Sequence, residues 1–111
     1  TACLEWGTPV PEKPWRVVLT ADTIYNESEH AALATTLASV HRIAKQNGAI
    51  SEPLILLAFQ LRRPDAEARF FGKTLSDVRL TSREFSLADL QLSDRLKSCV
   101  RVVEVIPAET Q

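Results

Sequence analysis

The run LILLAFQL at residues 54–61 constrains the fold more than any other part of the sequence, because all but one of its residues are apolar. A strand of this composition suits a parallel sheet that carries helices on both faces. It is also too apolar for the open edge of a sheet. A shorter run rich in β-branched residues, WRVVLTA at residues 15–21, predicts another buried strand. The connection between these two runs therefore decides the fold class.

That connection predicts an amphipathic helix. Asn26 suits its N-cap, and Glu29 three residues later completes a capping-box-like pair. Gly48 marks its end, since glycine commonly closes helices. Apolar residues recur between these ends at helical spacing, at Leu33, Leu37, Val40 and Ala44. A helix that joins two strands in this way predicts a right-handed crossover between parallel strands.

The second half of the chain adds one helix and two strands. Pro64 and Asp65 open the helix, and residues 78–85 and 99–106 read as strands. Ala68, Phe71 and Leu75 are expected on the inner side of the helix. The last two strands have no convincing helix between them and should pair antiparallel. The order β-α-β-α-β-β predicts an α/β fold, with a mostly parallel sheet and an antiparallel last strand added at one edge.

Composition restricts the possible functions. A chain of 111 residues is at most one domain, and a formal charge of −1 gives no attraction to nucleic acid or to an anionic membrane. No apolar run approaches the roughly 20 residues of a membrane span, and the N-terminus does not resemble a signal peptide. Cys3 and Cys99 lie far apart without companion histidines, so no metal site is predicted. We expect a cytoplasmic protein, with the nucleus as the alternative; the sequence does not fix its oligomeric state.

Candidate site residues cluster where the first strand ends. Ala21, Asp22 and Tyr25 fall at the carboxyl end of that strand, and ligands of open α/β sheets bind outside the carboxyl ends of their strands. The alternative is that Asp22 and Asn26 are only turn and capping residues. Arg62 and Arg63 follow the next strand, at its carboxyl end. They either contact a substrate or are simply solvent-exposed residues at the end of the strand. Three packing expectations complete this interpretation: both histidines, His30 and His41, are solvent-exposed, and Phe71 faces the core better than Phe70.

Four segments, in this order, resemble one known family. They are LEWG at 4–7, VVLTADTIY at 17–25, LLAFQLRR at 56–63 and EARFFGKTL at 67–75. Their motifs and spacing resemble the C-terminal half of the seven-β-strand, S-adenosylmethionine-dependent methyltransferases, specifically methyltransferase family 16, which is rich in protein-lysine methyltransferases. The resemblance extends from Leu4 to about Ile106.

The resemblance implies a partial Rossmann-like class I methyltransferase fold. Residues 1–111 would be the C-terminal part of a single domain, comprising strands four to seven. The family's glycine-rich cofactor loop has no counterpart here, since the three glycines form no G-x-G. An apolar first strand left as an open edge would invite aggregation, which also favours a missing partner strand upstream.

The resemblance also implies roles for four residues. Trp6 corresponds to the aromatic residue that lies against the adenine of S-adenosylmethionine, although it could equally be a plain packing aromatic. Ala21 corresponds to a cofactor-contacting position. Asp22 and Tyr25 correspond to the acidic and aromatic members of the D-x-x-Y motif beside the target amine, and are the catalytic candidates.

The implied function is methyl transfer from S-adenosylmethionine to lysine of a protein substrate. The chain by itself is expected to be inactive, because the glycine-rich half of the cofactor site is missing. Two alternatives remain open. One is a truncated, catalytically inactive methyltransferase-like domain that binds a protein partner, and the other is a methyltransferase with a non-protein substrate.

Overall fold

The chain folds into a four-stranded sheet packed against helices. A computed structural model describes residues 4–21, 27–60, 64–84 and 100–108. Its strands are β1 (Val17–Ala21), β2 (Leu54–Gln60), β3 (Leu80–Glu84) and β4 (Val100–Pro107). Its helices are α1 (His30–Gln46), α2 (Pro64–Arg69) and the short α3 (Leu75–Asp77), with a 3₁₀ turn at Glu27–Glu29 and a π-helical turn at Phe70–Thr74. This order confirms the predicted α/β class.

The sheet has the strand order β1-β2-β4-β3 and is mixed. β1 and β2 are parallel, from Val17 opposite Leu54 to Ala21 opposite Ala58. β4 is antiparallel to both of its neighbours, β2 and β3. The antiparallel pairing of the last two strands and the interior position of β2 are thus confirmed. The mostly parallel sheet is not, since only one of the three described pairings is parallel.

The expected place of the last strand was wrong, because β4 lies inside the sheet and not at its edge. The different burial of the two strands explains why β4 lies inside the sheet and β3 at its edge. The sequence of β4, VRVVEVIP, buries Val103 and Val105, whereas β3, LTSRE, buries only Leu80. The more polar strand therefore takes the edge, where exposed charged side chains also discourage pairing with other chains.

The core lies on one face of the sheet. Val18 of β1 and Ile55 and Leu57 of β2 are buried there together with the apolar stripe of α1. The side chains that alternate with them are less covered: Val17 is 52% exposed and Leu19 is 71% exposed. The expectation that β2 is buried on both faces therefore fails in the described residues, because Leu54 on the second face is also exposed.

Helix α1 follows the predicted pattern through most of its length. All four predicted stripe residues are buried. The helix begins at His30 after the 3₁₀ turn, with Glu29 in the N-cap position and no side-chain cap bond, while Asn26 lies outside the described residues. At the other end the Gly48 N–H donates to the Lys45 carbonyl and the Ala49 N–H to the Ala44 carbonyl. Gly48 has φ of 84°, so this is the Schellman ending that glycine permits.

The second helical segment differs from its predicted pattern because of the π-helical turn. The Leu75 N–H donates to the Phe70 carbonyl, five residues back, which inserts one extra residue into the turn. Phe70 and Leu75 are consequently both fully buried, Phe71 is only half-buried and Ala68 is exposed. The expected inner position of Ala68 was therefore wrong, and Phe71, although it packs against the core, is less buried than Phe70, contrary to the prediction.

Candidate active site

The carboxyl ends of the parallel strands β1 and β2 form the candidate site. Ala21 ends β1 and lies opposite Ala58 of β2. Ala21 is exposed and Ala58 half-buried. Both side chains consist of a single methyl group, and Ala21 ends its strand at the edge where ligands of open α/β sheets bind. The position of Ala21 therefore suits close approach by a ligand.

Trp6 is held in a tight turn on the middle of α1. The Gly7 N–H donates to the Thr36 hydroxyl at 2.9 Å, and that hydroxyl donates to the Ala32 carbonyl at 2.9 Å. Gly7 has φ of 84°, and a Cβ there would lie 3.4 Å from the Ala32 Cβ. Glycine thus allows both the turn and its close approach to the helix. The turn leaves the Trp6 side chain half-buried against the core.

The two catalytic candidates, Asp22 and Tyr25, lie outside the described residues, as do Arg62, Arg63 and both cysteines. The nearest described residues on either side of Asp22 and Tyr25 are Ala21, where β1 ends, and Glu27, where the 3₁₀ turn begins. Trp6 is placed on α1 and Ala21 at the end of β1. The grouping of all four predicted residues in one site remains a prediction.

His30 is a buried residue that the sequence interpretation placed in solvent. It is only 5% exposed, and its ring centroid lies 5.0 Å from that of Phe70 at an interplanar angle of 59°. The expectation of a solvated His30 was therefore wrong. A signal was present, because His30 precedes Leu33 by three residues and Leu37 by seven and so extends the buried stripe of α1.

Glu67 is the second buried polar residue at this edge of the sheet. It lies in the first turn of α2, shortly after β2, and is 6% exposed. A carboxyl group is costly to bury unless its surroundings compensate it. No pattern in the sequence singled out Glu67, because regular helical spacing put the neighbouring Ala68 on the inner side.

A row of four rings connects the end of β2 to the start of α1. Phe59 and Phe71 have centroids 5.5 Å apart, Phe71 and Phe70 are 5.2 Å apart with an edge-on geometry, and Phe70 contacts His30. Such tilted pairs stabilise by about 0.5–1.5 kcal/mol each beyond their burial. The aromatic row (Phe59, Phe71, Phe70 and His30) thus fixes the start of α1 relative to the strand end. At the surface, the Arg69 guanidinium donates to both oxygens of Glu27 at 2.8 Å.

His41 was also expected in solvent and is also buried, with 7% of its surface exposed. Its Nδ1 lies 2.8 Å from Oε2 of Glu52, two residues before the start of β2. This pair is at the amino end of the strand, on the side of the molecule opposite the candidate site. His41 therefore joins helix to loop and does not belong to the site.

Within residues 4–21, 27–60, 64–84 and 100–108, no group of three or more metal-ligating side chains comes together. None of the helices described there is long and apolar enough to cross a membrane.

Comparison with known proteins identifies the family. A family model described as lysine methyltransferase matches residues 1–77, which include the Trp6 turn, β1, α1, β2 and the whole second helical segment. The match ends short of Ile106, the expected limit of the resemblance. No curated protein matches the chain significantly. Since the match covers more than half of the sequence, the chain belongs to methyltransferase family 16, the lysine methyltransferase family.

Proposed function

We propose that this chain is the C-terminal part of an S-adenosylmethionine-dependent methyltransferase that modifies lysine side chains of a protein in the cytoplasm or nucleus. Family membership supports methyl transfer. One observation supports the location of the proposed site: Ala21 lies at the carboxyl end of β1, directly before Asp22 in the sequence. A D-x-x-Y motif therefore starts where ligands of such sheets bind.

The proposal that this chain is part of a larger domain is supported by a motif missing from the sequence and by an exposed face of the sheet. No G-x-G occurs among the glycines of the chain, and one face of β1 is open at Val17 and Leu19. We propose that residues 1–111 form strands four to seven of a class I methyltransferase domain, and that an N-terminal half supplies the glycine-rich loop. The mixed four-stranded sheet is compatible with such a partial fold.

The described residues fit an adenosyl group. Trp6 presents a half-buried indole on a turn fixed by the Gly7–Thr36 hydrogen bond, and a flat apolar face suits stacking on a purine. Ala21, opposite Ala58, is exposed and carries only a methyl group at the strand end. Trp6 and Ala21 would hold S-adenosylmethionine, which when bound supplies an activated methyl group. No further residue is needed to activate the methyl, so the protein's remaining task is to position the acceptor.

Asp22 and Tyr25 would bind and orient the acceptor amine. Lysine arrives protonated and must present a neutral nitrogen lone pair before it can accept a methyl group. The Asp22 carboxylate would pair with the ammonium and then orient the amine once its proton has left. The face or hydroxyl of Tyr25 would hold a cationic, partly methylated nitrogen through a cation–π contact or a hydrogen bond. Correct positioning of this kind accounts for much of the rate of a two-substrate reaction.

Methyl transfer to protein tests the proposal. We would compare wild type, Asp22→Asn and Tyr25→Phe in the domain extended upstream by its native coding sequence, using methyl-labelled S-adenosylmethionine and cell extract as acceptor. The proposal expects labelled lysine from the wild type, with at least a tenfold loss in Asp22→Asn because the asparagine is uncharged. Ala68→Ser, at an exposed helix position, serves as the neutral control.

The outcomes separate the alternatives. Label recovered in small molecules and not in protein would favour a non-protein substrate. If the extended domain is folded and labels neither protein nor small molecules, the result would favour an inactive domain whose role is to bind a partner. Labelled lysine that persists at full rate in Asp22→Asn would remove Asp22 from the proposed site.

A further inference from the structure

The turn that carries Trp6 has a defined geometry. It runs from Glu5 to Thr8 and is closed by two hydrogen bonds to the Glu5 carbonyl, from the Thr8 N–H at 3.2 Å and from the Thr8 hydroxyl at 2.7 Å. Gly7, at the third position, has φ of 84°, whereas Trp6 at the second position has no positive φ. This combination defines a type II turn, with Trp6 at one of its two corners.

One side chain of α1 holds this turn against the helix. The peptide that joins Trp6 to Gly7 donates its N–H to the Thr36 hydroxyl, and that hydroxyl donates to the Ala32 carbonyl, both at 2.9 Å. A Cβ on Gly7 would lie 3.4 Å from the Ala32 Cβ, so the turn lies directly on this part of the helix. Turns of types I and II differ in the orientation of this peptide. The bond to Thr36 therefore fixes the ψ angle of Trp6.

Packing alone does not explain a threonine at position 36. Thr36 is 2% exposed and lies on α1 between two fully buried apolar residues, Leu33 and Val40. Valine has nearly the same shape and a similar helix propensity, and it carries no hydroxyl that must be removed from water. The bond from the Thr36 hydroxyl to the Ala32 carbonyl does not strengthen the helix, since such bonds slightly destabilise helices. The remaining role of the hydroxyl is to accept the Gly7 N–H.

The anchored turn lies near the end of the sheet where the proposed cofactor site is. β1 ends at Ala21, and α1 begins at His30 after the 3₁₀ turn. Ala32 and Thr36 are two and six residues beyond His30, which is about 3 and 9 Å along the helix. Trp6 is half-buried against the core, so part of its side chain remains accessible there.

We propose that Thr36 is a positioning residue for the cofactor site: its hydroxyl, through the Gly7 N–H, holds the Trp6 indole in the orientation that stacks on adenine. This inference rests on the proposed function and adds to it a residue outside the four segments that carry the resemblance. Thr36 does not touch the cofactor. Its loss should weaken cofactor binding only through Trp6.

Thr36→Val is the informative substitution, because it keeps the shape of the side chain and removes the hydroxyl. In the extended domain, well below its midpoint of thermal unfolding, calorimetry should show about fivefold weaker binding of S-adenosylhomocysteine. Thr36→Ser keeps the hydroxyl and should stay within about twofold of wild type. Thr35→Val makes the same change at the neighbouring exposed residue and should have no effect. Wild-type affinity in a folded Thr36→Val variant would overturn the proposal.

A double-mutant cycle separates the positioning of Trp6 from a general loosening of α1. If Thr36 acts through Trp6, Thr36→Val should cause no further loss of affinity in a Trp6→Ala domain. Ile43→Val, a buried truncation about two turns further along α1, should leave the affinity unchanged. A further loss of about fivefold in the double variant would overturn the proposal, because Thr36→Val would then weaken binding without Trp6.

A readout without cofactor separates this inference from the proposed function. The sequence contains two tryptophans, so fluorescence in a Trp15→Phe background reports on Trp6 alone. Thr36→Val should shift the emission to longer wavelength and increase quenching by acrylamide, because the turn is released from α1, and Thr35→Val should change neither. Unchanged emission and quenching in Thr36→Val would overturn the positioning role. The expected changes in a domain whose wild type does not bind S-adenosylhomocysteine would confirm the anchor and contradict the proposed function alone.

Discussion

Replacing Phe70 with alanine should destabilise the protein more than replacing Phe71. Phe70 is fully buried and contacts both His30 and Phe71, whereas Phe71 is half-buried. Truncating a fully buried phenylalanine costs about 3–5 kcal/mol, so we expect about 4 kcal/mol for Phe70→Ala. Phe71 keeps part of its surface in solvent, so Phe71→Ala should cost less, about 3 kcal/mol. The difference follows directly from the π-helical turn, since a regular α-helix reverses the order.

Urea unfolding followed by circular dichroism measures both values. With a denaturant slope of about 2 kcal/mol per M, the unfolding midpoint should fall by about 2 M in Phe70→Ala and about 1.5 M in Phe71→Ala. Lys73→Ala removes only an exposed ion pair with Asp77 and should change stability by about 0.5 kcal/mol or less. A larger loss for Phe71→Ala than for Phe70→Ala would refute the π-helical turn and the seat that it provides for His30.

Four further predictions concern other parts of the structure. Leu19→Lys should reduce binding of a hydrophobic dye and self-association of the isolated chain without lowering its thermal midpoint, because Leu19 lies on the open sheet face. Gly48→Ala should cost about 1 kcal/mol in urea unfolding, since its φ of 84° disfavours a side chain. Gly72→Ala, with negative φ and open space, should instead stabilise by a few tenths of a kcal/mol. Thr36→Val removes the acceptor for the Gly7 N–H and should cost about 1–2 kcal/mol, with a shift in tryptophan fluorescence.

The features that the sequence predicted correctly are those that depend on local periodicity. The α1 stripe from Leu33 to Ala44 repeats at the helical period without interruption, and its end at Gly48 follows from backbone sterics. The parallel β1–β2 pair follows from the crossover helix between them. The family was also found from motif order, and the matched residues 1–77 cover the four segments that carry the resemblance.

The incorrect predictions concern features that depend on contacts beyond the local sequence pattern. No local pattern shows whether β4 lies inside the sheet or at its edge, because the choice depends on comparing its apolar content with that of β3. The extra residue in the π-helical turn shifts the buried face from Phe71 to Phe70, and regular helical spacing cannot reveal it. Histidine is intermediate in polarity, so the burial of His30 and His41 is set by their partners, Phe70 and Glu52.

The candidate site was predicted only in part. Trp6 and Ala21 are placed by the structure, in a turn on α1 and at the end of β1. Asp22 and Tyr25 follow Ala21 in sequence and remain the proposed acceptor residues. Of the two buried polar residues at the same edge, His30 extends the apolar stripe of α1 in the sequence, whereas no sequence pattern indicated that Glu67 is buried.

The central claim is that this chain is half of an S-adenosylmethionine site, and calorimetric titration of S-adenosylhomocysteine tests it most directly. The titration would use the 111-residue chain and the same domain extended upstream through its native coding sequence, each also as Trp6→Ala. We expect binding by the extended wild type, at least tenfold weaker binding by its Trp6→Ala variant because a stacking partner is lost, and no measurable binding by the chain alone. A folded extended domain that does not bind S-adenosylhomocysteine would contradict the account.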